Sequence, residues 1–217
     1  MRPTMGRVQP LTVAGIVLLA SAFLSGGWAH ARDGSWADSW EGIRSSAGTV
    51  DSVQATFVQE KHLKMLLRPL VSRGVLYYRA PADLRWEYRT PLRSVMLMTQ
   101  GRCRRFVETG GAMAETDGAG LDAMPVVMQE ITGWLQGRFE ENAIFSAALA
   151  PGRKIVLTPK NPSMAGIIQR IELVLSDRAG FIDAVYIYES EDSYTRLVFS
   201  DTVINRPLAD AIFLKAP

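Results

Sequence analysis

Apolar and polar positions alternate most cleanly in Leu84-Arg85-Trp86-Glu87-Tyr88. A two-residue period there puts Leu84, Trp86 and Tyr88 on one face of a strand and Arg85, Glu87 and Arg89 on the other. Val75-Leu76-Tyr77-Tyr78 before it and Val95-Met96-Leu97-Met98 after it are apolar on both faces. Short apolar or aromatic segments of this kind occupy 53–59, 74–79, 84–88, 94–98, 103–107, 155–157, 168–175, 182–188 and 194–199. Turn residues separate them at Ala80-Pro81-Ala82-Asp83, Thr90-Pro91, Gln100-Gly101 and Ala179-Gly180, and the spacing predicts an antiparallel meander. Two stretches keep a helical period instead. Trp36, Trp40 and Ile43 predict a short amphipathic helix ending near Gly48. Leu121, Met124, Met128, Ile131 and Leu135 step along one helical face through 121–138; Asp122 can cap the start, Pro125 falls in the first turn, and Gly133 and Gly137 weaken the end.

The first 31 residues follow a different pattern: basic Arg2 and Arg7, an apolar run from Leu11 to Leu24, then Ala29-His30-Ala31. This is the layout of a secretory signal peptide cleaved after Ala31, and the run is shorter than the roughly 20 residues a membrane-spanning helix needs. The expectation is export to the periplasm of one domain, residues 32–217. The whole chain has 24 Lys plus Arg against 22 Asp plus Glu; Arg2 and Arg7 leave with the signal, so the exported part is neutral, at 22 against 22. Such a balance gives no case for a nucleic-acid partner. The local cluster Arg102, Arg104 and Arg105 reads as a solvated strand or turn. Cys103 is the only cysteine, so no internal disulfide is possible, and a buried, inert thiol is expected.

Candidate chemistry is sparse. His62 is the only histidine after the signal; it follows a strand and reads as a surface residue, so neither a metal site nor a cofactor is implied. The chain has no Gly-x-Ser-x-Gly elbow, phosphate-binding glycine loop or His-Glu-x-x-His motif. Glu189, Glu191 and Asp192 cluster at a turn between strands, as a solvated hairpin tip would, and no catalytic residue is assigned. What the strands have in excess is apolar surface. A curved sheet lined by Met, Leu and aromatics, under a Met-bearing helix, can form an adaptable apolar pocket; an ordinary sheet-on-helix core is the other reading of the same pattern.

Several stretches resemble the LolA family, the periplasmic carriers of outer-membrane lipoproteins. They are Phe57-Val58-Gln59, Ser72-Arg73-Gly74-Val75-Leu76-Tyr77, Pro81-Ala82-Asp83-Leu84-Arg85-Trp86-Glu87-Tyr88 with Pro91, Val156-Leu157-Thr158-Pro159-Lys160, and the closing Asn205, Leu208 and Phe213. They keep their order over nearly the whole exported part. The resemblance implies a mainly β fold with α (α+β), an unclosed antiparallel barrel or strongly curved half-barrel whose concave face is covered by helices. It also implies a monomer without enzymatic activity that takes acyl chains into an apolar cavity. An inner-membrane lipoprotein-releasing ABC transporter loads such a carrier, and an outer-membrane acceptor receives the cargo. One departure stands out: the family's latch arginine, directly before the proline of the Pro-to-Trp motif, is Ala80 here. Arg79 is adjacent, but alternation points it to the opposite face. The stretch Leu66-Leu67-Arg68-Pro69-Leu70 is similar to LolA-like relatives that serve other envelope lipids.

The residues expected to line the cavity are Phe57, Leu76, Tyr78, Leu84, Trp86, Tyr88, Met96 and Met98, with Met124, Met128, Ile131 and Leu135 on the lid helix. Trp86→Glu is expected to abolish lipid binding without unfolding the protein. A carrier of another lipid or glycolipid, and a periplasmic sensor that uses the same fold to bind a protein, remain alternatives.

Overall fold

The computed structural model describes residues 36–116, 124–140 and 142–215, with the backbone alone for 124–129. The expectations for residues 1–31, Leu121 and Asp122 lie outside these residues. Eleven strands form one sheet: β1 (Ser52–His62), β2 (Leu70–Arg79), β3 (Asp83–Thr90), β4 (Ser94–Thr99), β5 (Arg102–Thr109), β6 (Ala112–Thr116), β7 (Phe145–Ala150), β8 (Lys154–Pro159), β9 (Arg170–Leu175), β10 (Ile182–Tyr188) and β11 (Tyr194–Ile204). Their order is β6-β5-β4-β3-β2-β1-β11-β10-β9-β8-β7, so two meanders meet where β1 pairs with β11. Neighbouring strands run antiparallel, and β6 and β7 are the two edges of an unclosed sheet. Register shifts in β1, between Arg73 and Gly74, and between Ile182 and Ala184 mark irregularities of the kind that bend strands and strengthen their twist.

The register sorts the strand side chains into two faces. Val53, Ala55 and Phe57 lie opposite Tyr78, Leu76 and Gly74. Those three in turn lie opposite Leu84, Trp86 and Tyr88, and Met98 and Met96 follow on β4. All eight strand residues expected to line a cavity therefore share the concave face. Gly74 has to be glycine, because a Cβ there would run into the Phe57 ring and the Glu87 carbonyl. On the β7–β11 side Phe145, Ile155, Leu157, Ile171, Leu173, Val185, Ile187 and Leu197 continue the same buried cluster.

Two helices lie on this face. A 3-10 turn, Trp36–Asp38, leads into α1 (Trp40–Ala47), whose start is capped by the Ser39 hydroxyl accepting the Gly42 N–H at 3.1 Å. The second, α2 (Met124–Leu135), ends three residues short of the expected 138, and the expected start at 121–123 lies outside the described residues. Gly137 does more than weaken its end. The Arg138 N–H bonds the Gly133 carbonyl, the Gly137 N–H bonds that of Trp134, and Gly137 has φ +71°, so glycine terminates the helix in a Schellman turn. There the chain passes against α1, at the Arg44 backbone and the Ala47 methyl.

The convex face of β3 and β4 carries α4 (Ala211–Leu214), and α3 (Pro162–Ala165) sits beside β8. Arg79 points outward as alternation requires. It pairs with Asp83 at 2.7 Å and Asp210 at 2.5 Å and lies 4.7 Å over the ring of buried Phe213. Arg85 is buried on the same side, donating to Glu87 and to the Ile212 and Lys215 carbonyls at 3.0 and 2.7 Å. Asn205 ties β11 to the entry of β1, accepting from the Asp51 N–H and donating to the Thr49 carbonyl, both at 2.8 Å.

Other expectations resolve as follows. His62 closes β1, half-buried and stacked on Tyr194 at 4.3 Å. Arg104 pairs with Glu115 at 2.7 Å. Cys103 is exposed, not buried, because β5 lies one strand from the sheet edge, in a wing where the described residues leave it uncovered. No helix among the described residues is long and apolar enough to cross a membrane.

Candidate functional site

Aromatic rings fill the middle of the concave face. Phe57 lies 4.4 Å from Trp86 and meets Tyr88 edge-on at 5.4 Å, and Phe199 meets Trp86 edge-on at 6.1 Å. Phe57, Tyr78, Leu84 and Trp86 have essentially no exposure. These four are packed core rather than walls of a preformed hollow. Met96 is buried at the side of the cluster, and Tyr88 and Met98 are half-buried there.

Between the sheet and α2 lies a seam, a cavity of about 30 Å³. The helix side contributes Ile131, Trp134 and Leu135, and the sheet side Val53, Ala55, Leu76, Phe181, Ile182, Val185, Leu197, Phe199 and Thr202. Of the residues expected from sequence, Leu76, Ile131 and Leu135 face this space. Met124 and Met128 lie where only the backbone is described. Sequence reasoning missed Trp134, which lies three residues after Ile131 on the same face, because the spacing was counted on to Leu135 instead. Val185 and Leu197 were inside predicted strands, but nothing local assigned their face.

Among the described residues, then, the sheet and α2 enclose a seam and not the expected roomy hollow. Helices α1 and α2 and the segment after α2 bring large side chains onto the sheet, with Trp40 of α1 and Phe139 6.0 Å apart, and these occupy the concavity. A seam so small holds about a water's volume, far below the ~300 Å³ at which ligand pockets begin.

Polar groups at the seam are few and specific. Just past α2, the Gln136 amide donates to the Pro81 carbonyl and, at 3.3 Å, to the Tyr78 hydroxyl. This fastens the helix to the turn that holds Ala80, where the expected arginine is missing. Burial raises the Tyr78 hydroxyl above its ordinary pKa, opposed by the Gln136 bond. The indole N–H groups of Trp86 and Trp134 are buried with no hydrogen-bond partner among the described residues. Each is a donor in apolar surroundings, a costly arrangement unless an acceptor arrives. No group of three His, Cys, Asp or Glu side chains suited to holding a metal occurs among the described residues.

One carboxylate rides on α2. Burial raises the Glu130 pKa above the ordinary carboxylate range, opposed by the hydrogen bond from the Asn142 amide. Protonated Glu130 thus favours the packed helix. Its contribution is full below the ordinary carboxylate value and is lost as pH rises through the raised folded-state value. Amide exchange in α2, corrected for intrinsic base catalysis, is expected to quicken between mildly acidic and neutral pH, and Glu130→Gln to remove that increase. Identical pH dependence in both proteins would contradict this role.

No known family's sequence model matches the chain, and no curated protein matches it. Among solved structures the chain is similar to a DUF1329 family protein from Desulfovibrio piger, at 10% identity over 82% of this chain and 95% of that one, with a TM-score of 0.47. It is also similar to the MucA/MucB complex structure from Pseudomonas aeruginosa, at 14% identity over 83% of this chain and 61% of that one, with a TM-score of 0.47. A LolA superfamily protein from Nitrosomonas europaea is similar at 13% identity over 81% of this chain and 97% of that one, with a TM-score of 0.42. Likenesses this loose say nothing of what the seam binds. The unclosed antiparallel sheet with helices on its concave face is nonetheless the α+β arrangement that the resemblance implied.

Proposed function

We propose that the chain is a non-enzymatic periplasmic carrier that parts α2 from the sheet and holds the acyl chains of a lipid or lipoprotein between them, moving its cargo from the inner to the outer membrane. The carrying observation is the seam: aliphatic and aromatic walls meet across about 30 Å³, with few polar side chains at its edge. A chain of about sixteen carbons costs on the order of 12 kcal/mol to hold unshielded in water, so a carrier has to cover most of it. The side chains that now cover one another offer the same contacts to such a chain once α2 lifts. Phe57, Leu76, Tyr78, Leu84, Trp86, Tyr88, Met96 and Met98 then form the floor, and α2 the lid. An inner-membrane ABC transporter loads the carrier and an outer-membrane acceptor unloads it. The Trp134 indole N–H, which lines the seam without a partner among the described residues, suits a cargo that brings ester or amide carbonyls. A glycolipid or another envelope lipid fits the same seam.

Gln136 acts as the catch in this scheme. Losing the two hydrogen bonds of the Gln136 amide, about 1 kcal/mol net together, from the closed form raises the share of open molecules roughly fivefold. Gln136→Leu is therefore expected to bind a fluorescent fatty acid about fivefold more tightly than wild type, and Leu135→Asp to bind it more weakly. Mass spectrometry of detergent-free protein should show a bound lipid. If the wild-type protein carries no lipid and takes up no fatty-acid probe, the carrier reading is wrong.

A further inference from the structure

Six of the nine exposed large apolar side chains among the described residues lie together at one end of the sheet, far along the strands from the α2 seam. Met65, Leu66 and Leu67 are in the loop between β1 and β2, Leu70 and Val71 open β2, and Leu92 is in the adjacent turn between β3 and β4. Leu67 is fully exposed, Met65 is 86% exposed and Leu92 is 75% exposed. Aliphatic side chains held out singly in water gain nothing for the folded domain, and grouped at one edge they mark a contact surface.

The loop is fixed at its base. The Lys64 N–H bonds the Ser193 hydroxyl at 3.3 Å, the Lys64 ammonium pairs with Asp192 at 2.9 Å, and the Leu66 N–H closes a turn onto the Leu63 carbonyl at 2.9 Å. Charge follows the apolar tip. From Lys61 to Arg73 the chain has Lys61, Lys64, Arg68 and Arg73 and no carboxylate, and Arg89 and Arg93 flank Leu92. Glu189 and Asp192 offset Lys61 and Lys64, but Arg68 and Arg73 are exposed and make no ion pair among the described residues. A projecting aliphatic tip beside unpaired cations is the pattern that sinks into an anionic bilayer interface. Protein interfaces centre on aromatic anchors, and the tip has none.

We propose that this end of the sheet is a membrane-docking edge for an anionic phospholipid surface: Met65 and Leu67 enter the interface, with Leu92 beside them, and Arg68 and Arg73 meet lipid phosphates. The docking is independent of what fills the seam. The test is co-sedimentation of the full chain with phosphatidylglycerol/phosphatidylethanolamine vesicles and with phosphatidylcholine vesicles. Wild type is expected to bind the anionic vesicles, less so as salt rises. Met65→Asp with Leu67→Asp is expected to lose roughly tenfold or more in partition. Arg68→Glu with Arg73→Glu is expected to lose about as much and to flatten the salt dependence. Val203→Asp, an exposed apolar site at the other end, should bind as wild type. All four proteins should keep the same circular dichroism and fatty-acid uptake, so a failed edge is distinguishable from a failed seam. The proposal is overturned if wild type ignores vesicles of either composition, if it binds both equally, if the loop variants bind like wild type, or if binding appears only once a membrane protein is added.

Discussion

Replacing Trp86 with glutamate is expected to unfold the domain, not to yield a folded protein that merely fails to bind lipid. The alternation around Trp86 made it look like the wall of a cavity, but its ring has no exposure and packs 4.4 Å from Phe57. Trimming a buried tryptophan typically costs about 3–5 kcal/mol, and a buried, unpaired carboxylate adds several more. Domains of this kind are stable by only about 5–15 kcal/mol. A thermal melt followed by circular dichroism decides the matter: a cooperative transition within a few degrees of wild type would show that Trp86 is not the core residue described. Leu135→Asp is the better probe of the seam, because Leu135 lines it while half-buried at its edge.

Arg85→Ala is expected to cost nearly as much, on the opposite face. Its guanidinium side chain is 8% exposed and Glu87 13% exposed, so alanine leaves the Glu87 carboxylate with only the exposed Arg89 at 3.2 Å and removes the donors to the Ile212 and Lys215 carbonyls at α4. Breaking a buried ion pair from one side costs about 3–5 kcal/mol, which for a domain of this size lowers Tm by roughly 10 °C. Proteolysis at the C-terminal end of the described chain should quicken as α4 loosens. Arg85→Met combined with Glu87→Leu should recover most of the loss, since no unpaired charge is left behind. If the single substitution melts like wild type, the buried pair is not what fastens α4.

Both predictions turn on residues whose face was readable and whose depth was not. In Leu84-Arg85-Trp86-Glu87-Tyr88 a period of two is unmistakable, and the register confirms both faces. It is silent on whether the apolar face meets a cavity or a helix, since both reward the same side chains. For Val75-Leu76-Tyr77-Tyr78, apolar on both sides, the inward face is set by pairing with β1 and β3, which no local signal encodes. Strands β6 and β7 went unread because Ala112-Met113-Ala114-Glu115-Thr116 and Phe145-Ser146-Ala147-Ala148-Leu149-Ala150 are alanine-rich, with helical rather than extended propensity. They are the two edges of the sheet, where pairing with one neighbour overrides propensity. Gln136 was invisible as a catch: a glutamine after a helix is unremarkable until the Tyr78–Pro81 turn is folded beside it.

The pairing of β1 with β11 has a kinetic consequence. Val53 finds its partner at Ile204, about 150 positions along the chain, so the central hydrogen-bond ladder of the sheet is its least local. Each meander can zip up from hairpins as it is synthesised, while the join between them waits for the last strand, β11. Until then two unfinished half-sheets expose β1 and its apolar row to solvent. Slow folding with a late, cooperative step follows from the same strand order that gives the finished sheet its continuous apolar floor.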